Sequence, residues 1–223
     1  MRCFESLRAQ TTKASGFVPL HLFAESSRSA KSNPSGRAMT KSELENLLRK
    51  AGKLARDPDF FLIGSQSLRG VCASIPSDFP KTSKADLHSR HHPQAWSILR
   101  EELGNRSKFF AEKGYYLDCT DPALATLPEG WTERLIPFRT PRIGGVTAWC
   151  LERHDLFVSK LVVSREKDQQ FVRARLRHDF VKRPILLSRI EDLPISPARQ
   201  NELKNLVSML VTNPIPRKSP TRK

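Results

Sequence analysis

The amino-acid sequence predicts an α+β (α/β) fold in which a small mixed sheet is flanked by helices and the C-terminal third is helical. Three observations support this prediction. An amphipathic helical pattern begins near residue 41, short apolar segments bounded by turn residues follow it, and helical patterns dominate from residue 154 onward. The sequence contains no internal repeats and no regular strand–helix alternation of the Rossmann type.

The first predicted element is an amphipathic helix over residues 41–56. Thr40 and Glu43 have the spacing of a capping box, in which each side chain accepts a hydrogen bond from the other residue's backbone N–H. The helix ends at Asp57-Pro58, because a proline disfavours helical backbone at the residue before it. Its apolar stripe repeats with the period of a helix and consists of Leu44, Leu47, Leu48, Ala51, Leu54 and Ala55.

Short strands and helices follow in an irregular order. Phe60–Ile63 is an apolar run typical of a buried strand, and Gly64-Ser65 ends it before a short helix over 66–71. Further strands are predicted at 85–87, 115–119, 134–138 and 146–151, with a helix at 94–103. The helices predicted for the C-terminal third are 154–164, 166–177, 184–190 and 197–211, the last with Ser196 as its N-cap.

Composition divides the chain into a body and two terminal segments. Residues 24–38 are rich in serine and poor in bulky apolar groups, so we predict that 1–38 form a disordered extension. The sharp change at Met39 further predicts that Met39 is the true start, with a genuine flexible tail as the alternative. The predicted domain spans 39–195, a C-terminal helix spans 196–212, and 213–223 form a basic disordered tail.

The chain has a net charge of +15, about half of which lies in the two terminal segments. Such a charge favours nucleic acid, nucleotide phosphates or an acidic protein as partners. Neither a membrane-spanning run nor a signal-peptide pattern is present, so we expect a cytoplasmic protein that does not bind membranes. The four cysteines are far apart and form no CxxC pair, which favours reduced thiols. P-loop and dinucleotide-binding motifs are absent from the sequence.

Two segments contain residues suited to phosphate chemistry. Gly64-Ser65 would let the backbone approach a phosphate closely, although an ordinary strand-to-helix corner is the alternative. Metal-dependent phosphoryl transfer needs two carboxylates on one face of a strand, and therefore two residues apart. In this chain those positions hold Lys84 and Asp86, so a cation has replaced one carboxylate.

Two further groups of polar residues allow a functional and an ordinary interpretation. On a helix, Asp155, Ser159 and Lys160 lie near one another, and Lys160 and Asp168 could reach one site. The alternative is a solvated helix face with ion pairs one turn apart. A group of histidines directly after the second strand could bind a metal or phosphate, with an exposed loop as the alternative. These are His88, His91 and His92.

Several segments together resemble the nucleotidyltransferase-like superfamily, in a bacterial branch related to the AbiEii-type toxins. The segment 61–70 (FLIGSQSLRG) resembles the opening strand and Gly-Ser corner, and 82–87 occupies the place of the two-carboxylate strand. The most specific block runs from His154-Asp155-Leu156 to Arg165-Glu166-Lys167-Asp168. The resemblance covers roughly 40–195. The branch usually carries Glu-Ala-Asp where this chain carries Lys84-Ala85-Asp86.

The resemblance implies a role for each candidate residue. Gly64 and Ser65 would hold the triphosphate, Asp86 would bind Mg²⁺, and Lys160 would contact phosphate. Asp168 would act as a further carboxylate near the acceptor or the metal. Lys84 would either weaken metal binding or contact phosphate directly, because an ammonium repels a metal ion where a carboxylate would bind it.

Three hypotheses about function follow from the resemblance. The first is a magnesium-dependent enzyme that transfers a nucleotide from a nucleoside triphosphate to tRNA, another RNA or a protein, and that serves as a toxin with an antitoxin partner. The second is a degenerate member that binds nucleotide or RNA without catalysis. The third is a protein-interaction module whose basic surface meets an acidic partner.

Overall fold

The computed structural model describes residues 37–72, 75, 82–165, 168–169, 172–173, 176 and 180–212. All of them belong to one unit that begins at Ser35. The tail predicted at 213–223 and nearly all of the extension predicted at 1–38 lie outside the described residues. Among the residues that are described, no helix combines the length and apolar character needed to cross a membrane.

A five-stranded mixed sheet forms the centre of the fold, in the order β3-β2-β1-β5-β4. The central strand β1 pairs in parallel with β5 and antiparallel with β2. The outer pairs are β2 with β3, which is parallel, and β4 with β5, which is antiparallel. The predicted mixed sheet is therefore confirmed. The strands are β1 Asp59–Leu62, β2 Lys84–Ser89, β3 Tyr116–Cys119, β4 Ile136–Phe138 and β5 Thr147–Cys150.

In the part of the chain that the structure describes, seven continuous α-helices flank this sheet. They are α1 Lys41–Ala55, α2 Ser67–Val71, α3 Trp96–Leu103, α4 Lys108–Lys113, α5 Arg153–Val163, α6 Arg183–Glu191 and α7 Pro197–Thr212. All except α4 were predicted from the sequence. Most of the helix predicted at 166–177 lies outside the described residues, but residues 168–169, 172–173 and 176 are helical.

Helix α1 begins with the capping box that the sequence predicts. The Thr40 hydroxyl accepts a hydrogen bond from the Glu43 N–H, and the Glu43 carboxylate accepts one from the Thr40 N–H at 2.7 Å. The helix ends at Arg56, whose φ of 53° is left-handed and stops the helical hydrogen-bond pattern. The apolar face of α1 packs into a core with Phe60, Leu62 and their neighbours on the inner face of the sheet.

Alternate residues on each strand point to opposite faces of the sheet, and the two faces differ in how deeply they are buried. The inner face is buried under α1 and α3. The opposite face, which we name the outer face, is only half-buried along β1 and β2. Strand pairing places these residues on the outer face: Asp59, Phe61, Lys84, Asp86, His88, Tyr116, Asp118 and Trp149.

The helical C-terminal part has its own core, built on α5, α6 and α7. Asp155 of α5 is fully buried at the edge of this core. Its carboxylate accepts hydrogen bonds from Arg134 at 2.9 and 3.2 Å, and Arg189 of α6 lies 3.1 Å away. The alternative of a solvated face with ion pairs one turn apart is therefore wrong for Asp155, because its ionic partners come from other elements.

Candidate functional site

The turn after β1 packs directly against β2. The Ile63 N–H donates to the Asp86 carbonyl at 3.2 Å, and the Ser67 N–H donates to the Gly64 carbonyl at 2.9 Å as α2 begins. A Cβ at Gly64 would lie 1.8 Å from Oδ2 of Asp86. Only glycine fits this position without displacing the carboxylate, so the Gly64-Ser65 turn and Asp86 form one local structure.

A lysine lies between two carboxylates on the outer face. Lys84 Nζ is 2.7 Å from Oδ1 of Asp86 and 3.0 Å from Oδ2 of Asp118. Asp118 is the register partner of Asp86 on the adjacent parallel strand β3, which explains why one ammonium reaches both. The Thr120 hydroxyl donates to Asp86 at 3.3 Å. We name Lys84, Asp86 and Asp118 the lysine–carboxylate cluster.

The charge of Lys84 is fixed by its neighbours. Burial alone would lower the pKa of Lys84, but the carboxylates of Asp86 and Asp118 raise it by more, so its pKa lies above the ordinary lysine value. The side chain is 36% exposed. Lys84 is therefore an ammonium throughout the physiological pH range, and it supplies a permanent positive charge between the two carboxylates.

A second ion pair lies close to this cluster. Lys160 of α5 is 3.5 Å from Asp168, and Arg165 lies 2.9 Å from the other oxygen of Asp168. Burial lowers the pKa of Lys160, and its attractions to Asp168 and Asp86 only partly oppose this effect. Lys160 is therefore within electrostatic range of Asp86 in the lysine–carboxylate cluster.

The three histidines do not form one group. His88 lies within β2 and stacks on Phe61, so the exposed-loop alternative is wrong for His88. His91 is exposed and lies 3.3 Å from Asp59. The backbone N–H groups of His91 and His92 donate to the buried carboxylate of Asp57. Across the described residues, no three histidine, cysteine, aspartate or glutamate side chains are placed to hold a metal ion.

The structure brings together most of the residues that the sequence singled out. Gly64 packs against Asp86, Asp86 pairs with Lys84, and Ser65 lies in the turn beside Gly64. Lys160 and Asp168 form the second pair. Sequence reasoning missed Asp118 and Thr120. The alternation of Tyr116 and Asp118 with the buried Tyr115 and Leu117 was a signal for an outward carboxylate, but only the pairing of β3 with β2 shows which residue it faces.

The described residues of the cluster do not fit a magnesium ion in the way that the resemblance implies. Magnesium binds oxygen ligands in octahedral geometry at about 2.0–2.1 Å. Here the space between the carboxylates of Asp86 and Asp118 is bridged by the ammonium of Lys84. An ammonium so close would repel a divalent cation and would compete with it for the same oxygens.

Comparison with known proteins shows which family the chain resembles. A family model described as a nucleotidyltransferase of unknown function (DUF6036) matches residues 42–210. This range contains every strand of the sheet, both ion-pair groups and all seven helices apart from the first residue of α1 and the last two of α7. No curated protein and no solved structure matches the chain significantly.

Proposed function

Because the chain belongs to the family of nucleotidyltransferases of unknown function (DUF6036), we propose that it binds a nucleoside triphosphate at the Gly64-Ser65 turn without transferring its nucleotide. The observation that carries this proposal is the position of the Lys84 ammonium, which is 2.7 Å from Asp86 and 3.0 Å from Asp118. This proposal is the second of the three hypotheses drawn from the sequence, that of a degenerate family member that binds nucleotide without catalysis.

The chemistry of transfer explains why Lys84 opposes catalysis. Magnesium ions in phosphoryl-transfer sites bridge phosphate oxygens, orient the reacting groups and neutralise the charge that develops. An ammonium supplies positive charge and three N–H donors, but it has no open coordination sites with which to bridge several oxygens. Lys84 can therefore stabilise a resting anion without replacing the metal's orienting function.

Two features support nucleotide binding. Gly64 has no side chain, so a phosphate could approach its backbone closely from the side that Asp86 does not occupy. Lys160 and Arg165 place positive charge around Asp168, and Lys160 also interacts electrostatically with Asp86. Lys84 would donate an N–H to phosphate in place of a metal contact.

The proposal is tested with the purified full chain and each labelled nucleoside triphosphate. Binding is measured by fluorescence anisotropy in EDTA and again in Mg²⁺, and transfer is measured as label on bulk tRNA or on the protein itself. We expect similar binding in both buffers and no transfer. Lys160→Ala should weaken binding about tenfold, whereas the matched control Lys50→Ala, an exposed lysine on α1, should leave it unchanged.

Two outcomes would overturn this proposal. Magnesium-dependent labelling of RNA or protein would establish an active transferase, which is the second candidate function. The register pairing of Asp86 with Asp118, two carboxylates on neighbouring strands, is the observation that favours this second candidate. Absence of nucleotide binding in both buffers would exclude both candidates. A toxin role, an antitoxin partner and cytoplasmic location stay predictions.

A further inference from the structure

The outer face carries an aromatic surface beside the lysine–carboxylate cluster. Phe61 of the central strand is paired in register with Trp149 on β5 and with His88 on β2. The His88 ring stacks on Phe61, with the ring centroids 6.4 Å apart and the ring planes at 27°. Trp131 meets Phe61 edge-on at 5.5 Å. Phe61, Trp131 and Trp149 are all half-buried, so part of each ring reaches the surface.

Two guanidinium groups lie on these rings. The Arg90 guanidinium is 4.8 Å from the centre of Phe61 and 5.1 Å from that of Trp149. Arg139, which is exposed, lies 5.8 Å from Trp149 and donates from Nε to Thr147 at 3.0 Å. Planar cations stacked on aromatic rings are a common arrangement in surfaces that bind nucleobases and phosphates together.

One carboxylate, that of Asp59, contacts the aromatic surface, and it does not neutralise the charge of the two arginines. Asp59 accepts a hydrogen bond from the Trp149 indole N–H at 2.7 Å and lies 3.3 Å from His91. The first contact orients the indole ring, and the second contacts the other oxygen of the same carboxylate. The two arginines exceed this one carboxylate in charge, so the aromatic surface itself is positive, whereas the adjoining lysine–carboxylate cluster has one more carboxylate than ammonium.

We infer that the outer face binds single-stranded nucleic acid. Bases would stack on Phe61 and Trp149 in the layer that the two guanidinium groups occupy in the free protein, and Arg90 and Arg139 would turn from the rings to contact the phosphates. Single strands fit better than a duplex, because only unpaired bases expose their faces for stacking. An acidic peptide would use the arginines but would leave the rings without a planar partner. This inference rests on the contacts of the outer face and does not depend on nucleotide binding.

The surface continues toward the candidate nucleotide site. His88 and Asp86 are two residues apart on the same face of β2. That separation is about 7 Å, close to the reach of one nucleotide. If the proposed function is correct, a strand bound along Phe61 and His88 would therefore pass beside the lysine–carboxylate cluster.

The experiment uses the full chain and a fluorescein-labelled uridine oligomer of about twelve nucleotides, a length within the usual site sizes. The test variant is Arg90→Ala/Arg139→Ala. Its matched control is Lys41→Ala/Lys50→Ala, which removes the same charge from cations that also lie over aromatic rings, Phe138 and Phe109, away from the outer face. We expect the test variant to weaken binding about tenfold or more, and the control to change it less than about twofold.

Tryptophan fluorescence gives a second measurement that does not depend on net charge. Stacking of a base on Trp149 should quench its emission, and Trp149→Phe should remove most of the quenching while retaining an aromatic ring. Circular dichroism and thermal melts check that each variant is folded. Because Trp131 lies on the same surface, both proteins also carry Trp131→Phe, which leaves the exposed Trp96 of α3 as the tryptophan that still emits in the Trp149→Phe variant.

Defined outcomes would overturn the inference. Equal losses in the two double variants would mean that only overall charge matters. Binding of a duplex as tight as that of the single strand, or quenching that persists in Trp149→Phe, would also contradict stacking at this site. A thymidine oligomer of the same length distinguishes single-stranded DNA from RNA. If it binds as tightly as the uridine oligomer, recognition uses bases and phosphates alone; if it binds more weakly, the protein also contacts the 2′-hydroxyl groups.

Discussion

The Lys84 ammonium lies 2.7 Å from Oδ1 of Asp86, the residue two positions further along β2, and 3.0 Å from Oδ2 of Asp118 on β3. Residues two apart on a strand share a face, so Lys84 and Asp86 are brought together by local geometry alone. Asp118 joins them through strand pairing. The result is an internal counter-cation for two carboxylates that would otherwise repel each other.

Replacing this lysine with glutamate should create a metal site. Lys84→Glu places three carboxylates together, and their mutual repulsion should destabilise the metal-free protein by about 1–3 kcal/mol relative to the wild type. A divalent cation would relieve that repulsion. We expect Mn²⁺ or Mg²⁺ to bind the variant but not the wild type, as measured by calorimetry, and to raise its melting temperature.

Two controls separate metal binding from loss of the lysine. Lys84→Gln removes the ammonium but adds no carboxylate, and it should bind metal more weakly than Lys84→Glu. Lys50→Glu adds the same charge at an exposed position on α1. If Lys84→Glu bound no more metal than Lys50→Glu, the lysine–carboxylate cluster would not be a metal site in which a lysine has replaced a ligand.

Adding one methyl group at Gly64 should disturb the candidate site. The new Cβ would fall 1.8 Å from Oδ2 and 2.6 Å from Cγ of Asp86, so the carboxylate must rotate away from Lys84. We expect Gly64→Ala to lower the free energy of unfolding by about 1–3 kcal/mol. Nucleotide binding should fall by tenfold or more, on the order of a lost charged contact.

A double-mutant cycle identifies the cause of that destabilisation. In an Asp86→Ala background the two closest atoms are gone, and only Cβ of residue 86 remains, 2.9 Å from the added methyl. The cost of Gly64→Ala should therefore be smaller there by about 1 kcal/mol, measured by urea unfolding. Equal costs in both backgrounds would show that the destabilisation arises elsewhere in the turn.

Local patterns in the sequence predicted the parts of this structure that local geometry controls. Thr40 and Glu43 form their capping box because both partners lie within one helical turn. Lys84 and Asp86 share a face because a strand alternates. Asp118 could not be assigned to the site, because the register between β2 and β3 depends on packing of residues far apart in the sequence.

Asp155 is a second residue whose partners could not be predicted from local sequence patterns. Its position on a helix predicted neighbours one turn away, yet its ionic partners are Arg134, before β4, and Arg189 on α6. Which side of a helix is buried in the C-terminal core depends on the helices packed against it. The combination of a fully buried carboxylate and two guanidinium groups arises only from the tertiary arrangement.

Neutralising Asp155 should be among the most damaging single changes in the C-terminal core. Asp155→Asn would leave two guanidinium groups facing a neutral amide in a buried site, at a cost of about 3–5 kcal/mol. The matched control is Asp192→Asn, because Asp192 also pairs with Arg189 but at 3.5 Å and with 39% of its side chain exposed. The control should cost less than about 1 kcal/mol in urea unfolding.

Asp57 should contribute to the stability of the fold in a pH-dependent manner. Its buried carboxylate accepts hydrogen bonds from the Ser89 hydroxyl and from the N–H groups of Asp59 and His91. Burial alone would raise the pKa of Asp57, but these hydrogen bonds lower it by more, so the pKa lies below its ordinary value. Asp57 thereby ties the start of β1 to the loop after β2.

The sign of the pH effect follows from that lowered pKa. The unfolded chain takes up a proton at Asp57 near pH 3.9, before the folded protein does, so acid favours unfolding. The contribution of Asp57 is complete above about pH 5 and is lost as the pH falls through the lower pKa of the folded state. Asp57→Asn should therefore cost about 1–3 kcal/mol near pH 7, because one amide oxygen replaces two charged ones.

Urea unfolding of the wild type and Asp57→Asn at several pH values checks this prediction. The difference between them should narrow as the pH falls toward about 3, because the wild type then loses the charge that the variant lacks. Asp121→Asn is a suitable control, since Asp121 is exposed and accepts a hydrogen bond from the Ala123 N–H at 2.9 Å. If the difference in unfolding free energy between the wild type and Asp57→Asn stayed constant down to acid pH, the charge of Asp57 would contribute nothing to stability.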